Sequence, residues 1–126
     1  MPFQLTINPH NRLVVIVGTG VTDEAEFRAI LLQAVADPAF EAGYHVLVDA
    51  RALEYTPTTS ETHRFVEFHL SHEELRRSKV AVVVTKLVDY GMANMFAILC
   101  DLQNAQVRSF RSLEEAEEWL AYFHEP

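Results

Sequence analysis

Two histidines and a glutamate on one predicted helix are the side chains best suited to bind a metal ion. His69 and His72 are three positions apart in a predicted helix over residues 60–75, and Glu73 follows four positions after His69. Residues at these spacings share a helix face, so two imidazoles and a carboxylate could approach a zinc ion. The spacing is not that of a His-Glu-x-x-His site, and the sequence offers no obvious further ligand. We therefore favour solvated or packing histidines and predict no metal site.

The sequence also lacks the patterns that are typical of other catalytic sites. The chain contains no Gly-x-Ser-x-Gly nucleophile elbow and no signature of paired catalytic carboxylates. Gly18-Thr19-Gly20 begins like a dinucleotide-binding turn, but Asp23 stands where the third glycine would be and would repel a phosphate. The lone Cys100 lies in an apolar helical run beside Asp101, so we expect a buried hydrophobic side chain rather than a reactive thiol. We predict that the protein is not an enzyme and uses no cofactor.

Asp49 and Arg51 lie at the carboxyl end of a predicted central strand over residues 45–50. Ligands of α/β folds usually bind at that end of the strands. Two residues that are two positions apart on an extended strand share one face. The pair is therefore either a structural ion pair or helix cap, or a polar group that lines a cleft, and the sequence favours neither. Asp49 is our first candidate for a polar ligand contact.

Three consecutive hydroxyl side chains, those of Thr58, Thr59 and Ser60, lie at the start of the second predicted helix. The helix dipole would favour a phosphate there, so these residues are candidate phosphorylation sites. Thr58 and Glu61 also have the spacing of a capping box, which explains hydroxyl groups at a helix start without any kinase. The cap is the favoured interpretation, and phosphorylation remains the alternative.

The second and third predicted helices carry more apolar surface than packing on a sheet requires, which is an arc of about 100°. Phe65, Phe68 and Leu75 form one stripe of the second helix, and Val66 and Leu70 lie on another side. On the third helix, over residues 87–103, nearly half of the circumference is apolar: Leu87, Val88, Met92, Met95, Phe96, Ile98, Leu99 and Leu102. Deeper burial in the monomer, a homodimer interface, and a pocket or membrane-facing surface for an apolar ligand each explain the excess.

Strands alternate with helices along the chain, which predicts one α/β domain over residues 1–126. Two strands, residues 3–8 and 12–18, suit a hairpin, and Gly18-Thr19-Gly20 ends the second of them. The remaining elements are a helix from residue 22 to the Asp37-Pro38 stop, strands over residues 45–50, 79–84 and 106–110, and helices over residues 60–75, 87–103 and 113–123, the last with Phe123 on its apolar face. Long crossovers are right-handed and imply parallel strands. The order β-β-α-β-α-β-α-β-α thus predicts a mixed five-stranded sheet, mostly parallel with an N-terminal antiparallel hairpin, and four helices.

The composition narrows the classes of partner. The formal net charge of −8 argues against nucleic acid, since phosphate binding needs a clustered basic surface. A single cysteine excludes an internal disulfide and suits a reducing compartment. The chain has no secretion-signal pattern, and no apolar run approaches the ~20 residues of a membrane span. We expect a cytoplasmic protein.

Segments along almost the whole chain carry a resemblance to a known family: residues 18–22, Asp37-Pro38 with Phe40, residues 47–51, Ala81-Val82-Val83 before residues 90–93, and residues 110–120. With the element order, they make the chain resemble the SpoIIAA-like (anti-sigma-factor-antagonist-like) branch of the STAS fold. The resemblance is to its stand-alone bacterial members, sometimes grouped with Sec14-type lipid-binding domains. One departure concerns phosphorylatable antagonists, which carry Asp-Ser-Ser-Gly-like residues where this chain has Thr56-Pro57-Thr58-Thr59-Ser60-Glu61. Partner switching by phosphorylation is therefore not carried over directly.

The resemblance implies a STAS-like binding or regulatory module whose second helix swings to admit a ligand or to touch a membrane. We expect a small apolar ligand or lipid between the second and third helices and the carboxyl edge of the sheet, with peripheral membrane contact. The expected apolar contacts are Phe65, Phe68, Tyr90, Met92, Met95 and Phe96, and the expected polar anchors are Asp49 and Tyr55. The alternatives are a protein-interaction regulator that docks a partner through residues 56–61, and a homodimer that covers the surplus apolar surface.

Overall fold

In the computed structural model, which describes residues 2–122, a β-hairpin begins the sheet. Strand β1 (Phe3–Asn8) pairs antiparallel with β2 (Leu13–Val21). Three further strands follow in parallel, β3 (His45–Glu54), β4 (Val80–Val83) and β5 (Val107–Phe110), and the spatial order β1-β2-β3-β4-β5 is the chain order. The predicted mixed five-stranded sheet with an N-terminal antiparallel hairpin is confirmed.

The helices cover the two faces of the sheet unequally. The crossovers contain α1 (Glu24–Ala36), α2 (Thr59–Ser71), α3 (Glu73–Arg76) and α4 (Leu87–Asp101), and α5 (Leu113–Tyr122) follows β5. Alternate strand residues such as Val46 and Val80 pack with the crossover helices, where Cys100 is also fully buried. Leu47 and Ala81 pack on the opposite face against α5. Both faces are therefore buried, which explains the nearly continuous apolar sequence of the central strands.

The prediction of four helices is wrong, because the helix expected over residues 60–75 is broken at His72. There α2 ends with His72 in an extended conformation, and α3 begins at the next residue. The Ser71 hydroxyl donates to the Phe68 carbonyl at 2.9 Å, and Nδ1 of His72 lies 2.8 Å from the same oxygen. These side chains occupy the acceptor that the next helical N–H would use. The short α3 then buries Leu75 in the core.

Strands β2 and β3 run further than the sequence predicted, because a bulge lets them stay paired past Gly18. Val17 pairs with Asp49, but Thr19 pairs with Ala52, so β3 contains one extra residue at this point. The extra residue reverses the alternation of side chains and directs Leu53 into the core with Val48. A Cβ atom at Gly18 would lie 2.7 Å from carbons of the Leu53 side chain. Gly18 therefore makes room for Leu53 and does not end the strand.

Helix α5 closes the second face of the sheet, and a serine caps its first turn. The Glu115 N–H donates to the Ser112 hydroxyl at 3.3 Å, and Ala116 and Leu120 are buried against the sheet. Phe123, predicted on the same apolar face, lies outside the described residues. Within residues 2–122, no helix combines the length and apolar character needed to cross a bilayer.

Candidate functional site

An apolar cavity of about 110 Å³ lies between the sheet and the helices α1, α2 and α4. Its floor consists of alternate residues of two neighbouring parallel strands: Val46, Val48 and Ala50 of β3, and Val80 and Val82 of β4. At the strand rise of about 3.3 Å per residue, the floor from Val46 to Ala50 is roughly 13 Å long. The cavity is thus an elongated slot that follows the strands.

Aromatic and aliphatic side chains of three helices form the other walls of this slot. Phe65 and Phe68 come from α2, Met92, Ala93 and Phe96 come from α4, and Phe27 and Leu31 come from α1. The rings of Phe27 and Phe65 meet edge to face with centroids 5.4 Å apart. Arg28 places its guanidinium 5.9 Å from the ring centroids of both Phe65 and Phe68, which joins α1 to α2. The predicted contacts Phe65, Phe68, Met92 and Phe96 therefore meet around one cavity.

Polar groups gather at the end of the slot near the carboxyl ends of β3 and β4, where Tyr55, Pro57 and Asp89 contribute to its lining. The Tyr55 hydroxyl donates to Oε1 of Glu61 at 3.1 Å, and burial together with this carboxylate raises the pKa of Tyr55. The Thr56 hydroxyl donates to Oδ1 of Asp89. These contacts connect the loop after β3 to both α2 and α4. Tyr55, predicted as a polar anchor, thus lies at the mouth.

The start of α2 carries the predicted capping box. The Thr58 hydroxyl accepts from the Glu61 N–H at 3.1 Å, and the Thr58 N–H donates to Oε1 of Glu61 at 2.9 Å. The same carboxylate therefore holds Tyr55 and the helix start together. Thr59 and Ser60 are exposed in the first helical turn. Phosphorylation of Thr58, Thr59 or Ser60 stays a prediction.

His69 is a cavity residue that is not among the predicted ligand contacts. It is only 3% exposed, it lines the cavity, and its ring meets Phe96 edge to face at 5.7 Å. Burial, with a smaller effect of nearby His72, lowers the pKa of His69 to about 4, so the imidazole is neutral at pH 7. The signal in the sequence was its position four residues after Phe65, on the same helix face.

The positions of His69 and His72 do not match the geometry of a metal site. His72 stacks on Phe68 with ring centroids 4.2 Å apart, whereas His69 packs against Phe96. Among the side chains described between residues 2 and 121, no three His, Cys, Asp or Glu groups lie together as a metal site requires.

Three of the residues predicted to contact a ligand lie away from the cavity. Asp49 shares the α5 face of the sheet with Leu47 and accepts from Nε and Nη2 of Arg51, each at 2.9 Å. The hydrogen bond from Arg51 holds the pKa of Asp49 below its usual value. Tyr90 lines a separate open groove between α4, β5 and α5, and Met95 is half-buried outside the cavity lining.

The surplus apolar surface of α4 divides between several environments. Met92 and Phe96 line the cavity, and Ala97 and Cys100 are buried in the core. Several large side chains of this helix and of its C-cap residue remain exposed: Leu87 at 70% exposure, Val88 at 59%, Ile98 at 60% and Leu102 at 70%. Burial within the monomer therefore accounts for only part of the apolar pattern.

Comparison with known proteins gives the family. A crystal structure of an uncharacterized protein with a SpoIIAA-like fold from Shewanella loihica PV-4 is similar, with a TM-score of 0.58 over 94% of this chain and 91% of that chain. The sequence identity is 13%, so this likeness concerns the fold alone. No curated protein matches the chain. The family model described as SpoIIAA-like matches residues 13–121, from the start of β2 into α5. The chain therefore belongs to the SpoIIAA-like family.

Proposed function

We propose that this protein is a non-enzymatic STAS-like module that binds a small apolar ligand, or the apolar part of a lipid, in the cavity beneath α2. The observation that carries the proposal is the lining of the cavity, which consists almost entirely of hydrocarbon and aromatic side chains. Ligand pockets usually have such walls with a few polar groups at fixed places. Membership of the SpoIIAA-like family supports a binding or regulatory module of STAS type in general.

The size of the cavity sets the size of the group that it accepts. A dry apolar cavity of ~150 Å³ lined by Leu, Ile and Phe binds benzene. The present cavity, at about 110 Å³, suits a group near that size, such as one aromatic ring or a short alkyl chain. A longer molecule would extend past Tyr55 and Pro57 at the mouth, or would require α2 to move. Neither end of α2 continues directly into another helix, because a loop precedes Thr58 and the helix breaks at His72.

The direct test of this proposal is titration of toluene into the protein, followed by ¹H–¹³C spectra of the valine and leucine methyl groups. We expect shifts at Val46, Val48 and Val82, which form the floor. Ala93→Leu should abolish them, because the added methyl groups fill the cavity. Ala29→Leu is the matched control, because Ala29 is exposed on α1. Equal binding by the two variants would contradict the proposal.

A second candidate function, peripheral membrane contact, rests on exposed apolar side chains at the same end of the sheet as the mouth. Val21 at the end of β2, at 76% exposure, and Leu87 and Val88 at the start of α4 lie exposed there. We propose that they enter the surface of an uncharged bilayer, since the net charge of −8 opposes anionic lipid. Cosedimentation with phosphatidylcholine vesicles should occur for the wild type and fall in Leu87→Ser, Val88→Ser. Equal sedimentation of the two proteins would exclude this contact.

A further inference from the structure

One buried polar atom of a residue that lines the apolar cavity has no partner. Nε2 of His69 is buried and makes no hydrogen bond within the part of the chain that the structure describes. A buried polar atom without a partner costs free energy, so each one calls for an explanation. His69 is 3% exposed and lines the cavity that we propose as the ligand site. The unpaired nitrogen therefore belongs to a residue of the proposed ligand site and not to a surface residue.

His69 lies at the end of the slot that is opposite to the mouth. It follows Phe65 by one helical turn and precedes the break in α2, near Leu75 and the amino ends of β3 and β4. The other polar lining residues are nearer the mouth: Tyr55 and Asp89 lie there, and the Thr62 hydroxyl donates to the Thr58 carbonyl at 2.9 Å. The deep end thus combines apolar walls with one imidazole, that of His69.

A buried water molecule is a poor partner for this nitrogen. Buried waters make about three hydrogen bonds, and an apolar cavity that cannot provide them stays dry. A hydroxyl group on an apolar ligand avoids that problem, because the body of the ligand is stabilised by the cavity walls. Since neutral imidazole has one donor and one acceptor nitrogen, a hydroxyl can pair with Nε2 in either tautomer. A charged group would be desolvated there without a counter-ion.

We propose that the ligand is a neutral apolar molecule with a hydroxyl group, and that this hydroxyl forms a hydrogen bond with Nε2 of His69 at the deep end of the cavity. This inference rests on the proposed function and specifies the class of ligand. Phenols and short-chain alcohols belong to that class. His69 is then the binding residue that selects a hydroxylated molecule over the plain hydrocarbon of the same shape.

The test compares toluene with p-cresol, which differ by one hydroxyl group. Each is titrated into the protein at pH 7 by calorimetry, and the measured quantity is the ratio of their affinities. We expect p-cresol to bind more tightly than toluene to the wild type, and His69→Leu to reduce the ratio by about tenfold or more, the effect of about one hydrogen bond. His63→Leu is the control, because His63 is exposed on the same helix and should leave the ratio unchanged.

A second measurement uses only the wild-type protein and so does not depend on the folding of a variant. The ¹⁵N resonance of Nε2 of His69 in the wild type should shift when p-cresol is added and should shift much less with toluene. Suppose that both molecules bind but His69→Leu leaves the ratio of their affinities unchanged, or that the Nε2 resonance shifts equally with each. The proposed hydrogen bond to the hydroxyl group is then wrong, although the apolar site remains. If neither molecule binds the wild type, the proposed function fails, and the hydroxyl assignment fails with it.

Discussion

The Glu24 carboxylate on α1 accepts two hydrogen bonds from the Arg64 guanidinium on α2, from Nε at 2.6 Å and from Nη2 at 2.8 Å. Arg28 also donates to Glu24, at 3.0 Å, while its guanidinium lies over the phenylalanine rings of α2. The hydrogen bond from Arg64 is the main cause of the lowered pKa of Glu24. Exposed ion pairs contribute little to stability, so we infer that this one chiefly fixes the position of α2 over the cavity.

We expect Arg64→Gln to increase the rate at which toluene leaves the cavity, by several-fold, with little change in Tm. The substitution keeps a polar side chain but removes the paired charge, which frees α2 to move away from α1. The exchange rate can be measured by NMR line shapes. Arg77→Gln is the control, since Arg77, directly after α3, forms an exposed ion pair with Glu73 at 3.3 Å. Identical exchange in the two variants would mean that α2 does not gate the site.

We expect the double substitution Phe65→Ala, Phe68→Ala to weaken ligand retention more than it lowers stability. Both rings are half-buried and form the α2 wall, so their removal opens the cavity to water. Phe110→Ala is the matched control, because Phe110 is also half-buried but packs with Trp119 on the other face of the sheet. Retention of toluene and the urea midpoint should be measured on both proteins. Unchanged retention in the double variant would count against the site.

The free energy of unfolding should fall as pH decreases from about 6.5 to 4, because of His69. The unfolded chain binds a proton near the ordinary histidine pKa of 6.5, whereas burial lowers the pKa of His69 in the folded chain to about 4. The unfolded state therefore binds more protons in this window, and a shift of that size corresponds to about 3 kcal/mol.

Urea titrations at several pH values test this dependence. His69→Phe should flatten the slope between pH 4 and 6.5, and His63→Gln should keep it, because His63 is exposed. The same slope in wild type and His69→Phe would show that other groups cause the loss.

We expect Gly18→Ala to destabilise the fold by about 1–3 kcal/mol, the usual effect of overpacking. The new Cβ would lie 2.7 Å from the Leu53 side chain, which lines the cavity. Gly91→Ala is the matched control, and we expect it to change the stability in the opposite direction. It adds the same methyl group to helix α4 in open space and should stabilise the helix by roughly 0.5–1 kcal/mol. Equal urea midpoints for the two variants would contradict the role assigned to Gly18.

The sequence was sufficient to predict features that depend on local spacing. The Thr58–Glu61 capping box, the hairpin and the order of strands and helices follow from residues a few positions apart. The break at His72 was not predictable in this way, because it depends on competition of two side chains for one carbonyl oxygen. The bulge opposite Gly18 depends on the packing of Leu53, a contact between residues far apart in the chain.

The candidate site shows the same difference between features set by local spacing and features set by the tertiary fold. Phe65, Phe68, Met92 and Phe96 were predictable because helical periodicity places each pair on one face, and the structure brings them together. His69 belongs to the same periodic pattern but was assessed only as a metal ligand. Asp49 shares a strand face with Leu47, yet only the tertiary fold determines that this face packs against α5 and not against α2.

Native mass spectrometry of the freshly purified protein tests the central claim most directly. The wild type should carry a small apolar molecule that solvent extraction releases, and Ala93→Leu, with its cavity filled, should be empty. The extracted molecule should contain a hydroxyl group if His69 selects it. A wild-type protein that carries no molecule, or equal occupancy in the wild type and Ala93→Leu, would contradict the account. An empty wild type that is a homodimer would instead assign the apolar surface of α4 to assembly.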